Sequence, residues 1–229
     1  MNLDQLGLCR KAITSRSKFN RVVRRCHKEG SHEGPCDEFP FLEHLESIAG
    51  RVAQKVKRDS VMTTGAAWKS EEAGPNRILR WVMLETDEDL RAYGIDMTKL
   101  KPQVVAKLRE KAAGYDDCIE VSMWLTYLVY QMAGAPAAPS STSDFLARVF
   151  GPMRTATTLC EVCRLPLAFE MFEGAQRGRA IIETCHREPR QHSAGNVGFA
   201  HRECNIAQGA RSVDEFYAWI RGILDRVGR

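Results

Sequence analysis

The sequence predicts an α+β protein, in which a mostly helical N-terminal region precedes a small mixed module that ends in a helix. Three observations predict this class. Apolar residues recur at helical spacing through much of residues 1–133. Two short segments, 180–184 and 197–200, have the β-propensity of a pair of strands. Near the C-terminus, Ser212 is followed three residues later by Glu215, which is the signature of a capped helix start.

Four patterns predict the helices of the N-terminal region. Residues 41–58 carry apolar side chains at helical spacing, with basic residues near the end, where the helix dipole favours cations. Residues 75–85 form a second helical pattern that opens with a proline. Pro102 stands where a first-turn proline is tolerated, and Gly114 is placed to end that helix. Residues 116–132 form the most apolar pattern, and we expect them to lie in the core.

The chain changes character after these helices. Residues 134–143 combine small residues, two prolines and four hydroxyl side chains, which is typical of a linker or an exposed loop. We therefore expect three parts: a helical region over 1–133, a linker with a short helix over 134–152, and the mixed module over 153–229.

Length and composition bound the class of protein. The chain has 229 residues, a net charge of +4 and 27% charged residues, which is ordinary for a globular protein and excludes a wholly disordered one. No apolar run approaches the roughly 18 residues of a membrane span, and the N-terminus lacks the features of a secretory signal, so we expect a cytoplasmic protein with no membrane partner. In such a chain, clustered cysteines are typical of metal sites.

Four residues of the mixed module form two tight pairs. Cys160 and Cys163 make a CxxC pair, and His201 and Cys204 repeat its spacing after an insert. Two such pairs on distant turns are the usual way in which a chain builds a tetrahedral zinc site. The zinc would be structural, because protein ligands would fill all four positions. The alternative is a set of free cysteines in a reduced cell.

Further polar residues lie around these pairs. His186 follows the first strand segment with a proline three residues on, Asn196 precedes the second strand segment, and Asn205 follows the last cysteine. Over residues 160–211, this pattern resembles the HNH nucleases of the ββα-metal fold. The ending Cys-Asn-Ile-Ala-Gln-Gly over 204–209 also resembles the phage recombination endonuclease VII branch.

The resemblance implies a metal-dependent DNA endonuclease with a zinc-stapled ββα-metal module. His186 would be the general base that activates water, Asn205 a ligand of Mg²⁺ or Mn²⁺, and Asn196 a brace for the loop that holds the histidine. We interpret the chain as a sequence-specific, restriction-type enzyme that acts on double-stranded DNA as a homodimer. The helical N-terminal region would then serve target recognition or dimerisation.

The sequence departs from the family pattern before the histidine. That position is usually an aspartate that binds metal, and here it is Cys185, a soft ligand poorly matched to Mg²⁺. Glu183 lies on the same face of the strand and could replace the aspartate as ligand. A second registration would set Thr184 and His186 on the two histidines of the endonuclease VII motif. We prefer the first registration, because it also accounts for the proline and Asn196.

Basic residues outside the motif are candidate DNA contacts. Eight Lys and Arg residues and no acid lie within residues 10–28, which fits contacts with a phosphate backbone, although charge runs are more often solvated faces. The arginines that we single out, in this run and beside the motif, are Arg21, Arg24, Arg25, Arg187 and Arg190.

Other interpretations remain open from sequence alone. One alternative is a non-catalytic, zinc-stabilised module that binds nucleic acid; another is a phage-type junction-resolving nuclease. A second zinc site at Cys26, His27, His32 and Cys36 is not predicted, because their spacing is irregular.

Overall fold

A computed structural model of the chain describes residues 3–13, 24–64, 77–92, 96–173 and 180–228. The chain divides into two compact units, Met1–Thr126 and Tyr127–Arg229. Helices and two small antiparallel sheets make up the described residues, so the predicted α+β class is confirmed. Within these ranges, no helix has the length and apolar character that crossing a membrane would require.

The first unit contains four complete helices among its described residues, two short strands and the larger part of a fifth helix. These elements are α1 (Glu43–Ile48), α2 (Gly50–Val61), β1 (Met62–Thr64), β2 (Arg77–Leu79), α3 (Asp87–Ala92), α4 (Pro102–Glu110) and α5 (Tyr115–Tyr130). The predicted helix over 41–58 is broken at Ala49, whose extended φ of −147° separates α1 from α2. The predictions for 102–114 and 116–132 correspond to α4 and α5.

The helix predicted over 75–85 is wrong. Ile78 lies in β2 and pairs with Thr63 of β1, and a short 3₁₀ turn, Arg80–Leu84, follows. The apolar residues Trp81, Val82 and Met83 of that turn are buried on successive positions, so no single helical face exists. Residues 75 and 76 lie outside the described ranges.

The second unit carries a β-hairpin between helices. Its elements are α6 (Ser140–Phe150), β3 (Ile182–His186), β4 (Val197–His201), α7 (Arg202–Gln208) and α8 (Val213–Arg226). The predicted strand pair is confirmed, with β3 beginning and ending two residues later than expected, and α8 begins with the predicted capping box. The Ser212 hydroxyl accepts the backbone N–H of Glu215, whose carboxylate accepts that of Ser212.

The residues just before the segment that sequence suggests as a linker are anchored. The backbone N–H of Ala133 donates to the Leu167 carbonyl, and the Ala133 carbonyl accepts the N–H of Phe169. The side-chain oxygen of Gln131 accepts the backbone N–H of Arg154. The division between the two units falls inside α5, and the separability of residues 1–133 from 153–229 stays a prediction.

Gly198 of β4 marks a close approach between the hairpin and the turn that carries the CxxC pair. The backbone N–H of Glu161 donates to the Phe199 carbonyl over 2.9 Å. A Cβ atom at position 198 would lie 2.5 Å from Oε1 of Glu161. The Glu161 carboxylate lies within 3.5 Å of Arg164 and 4.0 Å of Arg187, and burial raises its pKa despite these cations. A methyl group at position 198 would therefore force the Glu161 side chain to shift.

We expect Gly198→Ala to lower the free energy of unfolding by about 1–3 kcal/mol, because the added methyl displaces a side chain held on both sides. Gly195→Ala is the matched control. An added Cβ there meets nothing within 4 Å, so its effect should stay within about 0.5 kcal/mol. Urea denaturation of the two variants measures both values, and equal effects would contradict the close approach.

Candidate active site and metal centre

The hairpin and the helix after it bring the motif residues into one small assembly. β3 pairs antiparallel with β4, and α7 packs against both strands. His186, the last residue of β3, pairs with Val197, the first residue of β4. Asn196 immediately precedes Val197, and at the opposite end Ile182 pairs with His201. One end of the hairpin therefore carries the candidate catalytic histidine and the other carries a candidate zinc ligand.

The four predicted zinc ligands converge. One sulfur or nitrogen atom from each of Cys160, Cys163, His201 and Cys204 lies within 4.8 Å of the others. His201 ends β4 and Cys204 lies in the first turn of α7. The Nδ1 atom of His201 is 3.3 Å from Sγ of Cys163. Three sulfurs and one imidazole nitrogen at such separations fit a tetrahedral zinc site.

A tight turn presents the two cysteines of the CxxC pair. The N–H of Cys163 points to Sγ of Cys160 at 3.5 Å, and the N–H of Cys160 donates to the Leu165 carbonyl at 2.8 Å. Arg164 adopts a left-handed φ of 62°, which few residues other than glycine do. The turn is therefore a specific knuckle rather than a loose loop.

His186 contacts a second histidine that the sequence did not single out as its partner. Its Nε2 atom lies 3.1 Å from Nδ1 of His192, and the two rings are tilted at a centroid distance of 5.4 Å. His192 is buried, with 7% of its surface exposed. One of the two nitrogens must donate the shared proton, because a pair of lone pairs would repel.

Asn196 holds the loop between the strands. Its side-chain oxygen accepts the N–H of Glu188, and its amide donates to the carbonyls of Glu188 and Gln191, each at 2.7 Å. Its own carbonyl accepts the N–H of Arg187. The side chain is buried, so its polar atoms need partners within the protein. These hydrogen bonds provide partners for both its oxygen and its amide group.

Gln208, which sequence reasoning missed, joins the helix to the end of β3. Its amide donates to the carbonyls of His186 at 2.8 Å and Arg211 at 3.0 Å. Its side-chain oxygen lies 3.1 Å from Sγ of Cys185 and accepts the thiol proton. Both Gln208 and Cys185 are almost fully buried. No local pattern marks this role, because the contact partners lie 22 and 23 residues away.

Cys185 is a neutral thiol. Burial, together with the nearby Glu161 carboxylate, raises its pKa to about 12. A protonated, hydrogen-bonded thiol with 1% exposure is a poor metal ligand. Glu183, two residues earlier on the same strand face, is half-buried and offers a carboxylate.

Asn205 lies inside α7 rather than at its cap. The N-cap position is His201, so Asn205 does not cap the helix. Asn205 precedes Gln208 by three residues, which sets the two side chains on neighbouring positions of one helix side. Because Gln208 contacts Cys185 and His186, that side of α7 faces the end of β3.

The predicted DNA-contacting arginines have different surroundings. Arg187 and Arg190 are exposed in the loop beside His186. In the first unit, Arg24 pairs with the buried Glu38 and Arg25 donates to the Arg10 carbonyl, so both take part in local packing. Arg21 lies outside the described residues.

Comparisons with known proteins bear on this site. The sequence model of the DraIII family matches residues 38–204. A crystal structure of a type II restriction endonuclease has a chain that is 41% identical in sequence. The match covers 96% of this chain and 98% of that one, with a TM-score of 0.84. No curated protein sequence matches the chain.

We expect Cys163→Ser to remove one equivalent of zinc per chain and to destabilise the second unit. Cys163 is exposed, so the isosteric change disturbs little packing. The loss of stability would therefore come from the loss of zinc, because the binding free energy of the metal contributes to folding. Elemental analysis and thermal denaturation measure the two effects. Cys185→Ser, outside the cluster, is the control that should keep its zinc; wild-type zinc content in Cys163→Ser would refute the site.

Proposed function

The chain belongs to the DraIII family of restriction endonucleases, and we propose that it cleaves double-stranded DNA with an active site of the HNH, or ββα-metal, type. One observation carries the proposal: a hairpin and the helix that follows it bear His186 at a strand end, Asn196 at the loop and Asn205 on the helix. The positions of these three residues resemble those of the HNH motif, and this likeness supports the proposal.

The proposed catalytic ion is Mg²⁺ or Mn²⁺, held by Glu183 and Asn205. Carboxylate and amide oxygens are the hard ligands that such ions prefer, whereas the buried neutral thiol of Cys185 is not. When bound, the ion would stabilise charge on the phosphoryl oxygens and on the leaving 3′ oxygen. Glu183 would thus replace the aspartate that HNH sequences usually have before the histidine.

His186 would accept a proton from the attacking water. If its Nε2–H donates to Nδ1 of His192, the lone pair resides on Nδ1 of His186, which is then the basic atom. Attack on phosphorus with the 3′ oxygen as leaving group yields 5′-phosphate and 3′-hydroxyl ends. Gln208 and Asn196 act through His186: the first holds its carbonyl, and the second braces the loop beyond it.

Restriction-type cleavage also requires target selection and two cuts. A homodimer would offer one active site to each strand of a duplex, with two-fold symmetry matching a palindromic target. The exposed Arg187 and Arg190 are the phosphate contacts that we propose beside the site. We propose target recognition or dimerisation as the role of the helical N-terminal region.

We expect His186→Ala to lower the cleavage rate of plasmid DNA by about 10²–10⁴-fold, because the base that deprotonates water is lost. DNA affinity should survive, since binding depends on many phosphate contacts. Zinc content should be unchanged, which separates loss of the base from loss of the fold. His44→Ala, in α1, is the matched histidine control and should cleave like wild type. Full activity in His186→Ala would overturn the proposed registration.

The choice of metal ligand can be tested with a pair of variants. We expect Glu183→Gln to abolish most activity and to raise the Mg²⁺ concentration needed for half-maximal cleavage, because the amide is a weaker ligand. Cys185→Ser should be mild, because a hydroxyl preserves the hydrogen bond to Gln208. The reverse order of effects would assign the metal to position 185. A wild-type protein that binds DNA but does not cleave it with either ion would identify a non-catalytic module instead.

A further inference from the structure

A second cluster of ligand-type side chains lies in the first unit. One sulfur or nitrogen atom from each of Cys9, Cys26, His32 and Cys36 lies within 4.8 Å of the others. Nε2 of His32 is 3.3 Å from Sγ of Cys26 and 3.9 Å from Sγ of Cys36. None of the three cysteines forms a disulfide. The cluster thus joins a residue near the N-terminus to three residues of a later loop.

Backbone pairing brings the segment that carries Cys9 alongside the segment that carries Cys26. The N–H of Cys9 donates to the Lys28 carbonyl at 2.8 Å, and the N–H of Arg10 donates to the Cys26 carbonyl at 2.9 Å. In return, the N–H of Cys26 donates to the Lys11 carbonyl. These bonds make a narrow ribbon from two chain segments, so the approach of the two sulfurs is built into the backbone.

The backbone around the sulfurs resembles that of the first cluster. Arg10, directly after Cys9, adopts a left-handed φ of 56°, as Arg164 does directly after Cys163. A backbone N–H, that of Asp37, points to Sγ of Cys26 at 3.4 Å. Left-handed residues other than glycine carry a steric cost and persist where the surrounding structure requires them. Here the requirement is the turn that directs a cysteine into the cluster.

The two histidines of the loop differ in which nitrogen is available. His27 accepts a hydrogen bond from Arg10 at Nε2 and donates from Nδ1 to the Glu38 carbonyl, both at 2.8 Å. Both of its ring nitrogens are therefore engaged. In His32, Nδ1 faces the Glu33 carbonyl at 3.3 Å, which sets the proton there and directs the Nε2 lone pair at the sulfurs. Metal-bound histidines commonly use this arrangement, in which a carbonyl fixes the tautomer.

We propose that Cys9, Cys26, His32 and Cys36 form a second structural zinc site. Three thiolates and one imidazole are a soft donor set that favours zinc over Mg²⁺ or Mn²⁺. All four positions are filled by protein, so the ion has no open position for water or substrate and serves the fold. The sequence-based expectation of no second site considered His27 and overlooked Cys9, which lies outside the local spacing.

The site would also fix a charged contact of the same unit. Arg10, between Cys9 and Lys11, donates to both carboxylate oxygens of Asp116, each at 3.0 Å. Asp116 lies in the first turn of α5. Anchoring Cys9 to the ion would therefore hold the backbone from which Arg10 reaches the start of α5.

Zinc stoichiometry tests the proposal directly. Elemental analysis of the purified full chain should give two equivalents of zinc. Cys36→Ser and Cys163→Ser should each give one, and the double variant none. The control is Cys118→Ala, a buried cysteine of the same unit outside the cluster, which should keep both. One equivalent in wild type that Cys36→Ser retains would overturn the second site and leave the proposed active site untouched.

A second measurement does not depend on the variants folding. In the folded wild-type chain, iodoacetamide labelling of the half-buried Cys9 and Cys36 should be slow until a chelator removes zinc, and should then become fast. Peptide mass spectrometry identifies the labelled residues. Labelling of both residues at the same rate with and without chelator would overturn the proposal.

Discussion

The convergence of Cys160, Cys163, His201 and Cys204 at the junction of β4 and α7 is the constraint on which the candidate active site depends. A two-stranded hairpin of five-residue strands is marginal in water without further support. The four side chains come from the end of β4, the start of α7 and the turn that carries the CxxC pair. One zinc ion bound by them would therefore fix the hairpin, the helix and the preceding chain together. Zinc bound at this point would contribute its binding free energy to folding of the module.

The opposite end of the hairpin is held by hydrogen bonds instead of ligands. Gln208 connects the last turn of α7 with the carbonyl of His186 and the thiol of Cys185, and Asn196 closes the loop beyond them. Each bond contributes only about 1 kcal/mol. Because Gln208 and Asn196 are buried, however, loss of either would leave several polar groups without partners, which costs more than the bonds contribute. His186 is thus positioned from both its own strand and the helix.

Most of the secondary-structure elements and site residues that could be predicted were predicted from short-range patterns in the sequence. The two pairs of zinc ligands have short internal spacings, and the strands, α5 and the capped α8 follow from periodicity and cap residues that lie within a few positions. The misassigned 75–85 segment fails for the converse reason: its apolar spacing matches a helix, but pairing of Ile78 with Thr63 in β1 decides its structure. Contacts between distant positions, such as Gln208 with His186 or the approach of the Cys9 and Cys26 sulfurs, leave no periodic signal. They follow from the folded geometry alone.

The three bonds of Asn196 have a consequence for the loop that carries Arg187 and Arg190. Ordering a backbone residue costs on the order of 1–2 kcal/mol. A loop that becomes ordered only on binding therefore lowers the affinity by that free energy for each ordered residue. Asn196 and the backbone bond from Arg187 fix the loop before any ligand arrives. DNA bound by these arginines would therefore order only their long side chains. The loop backbone, already fixed, would lose little conformational entropy on binding.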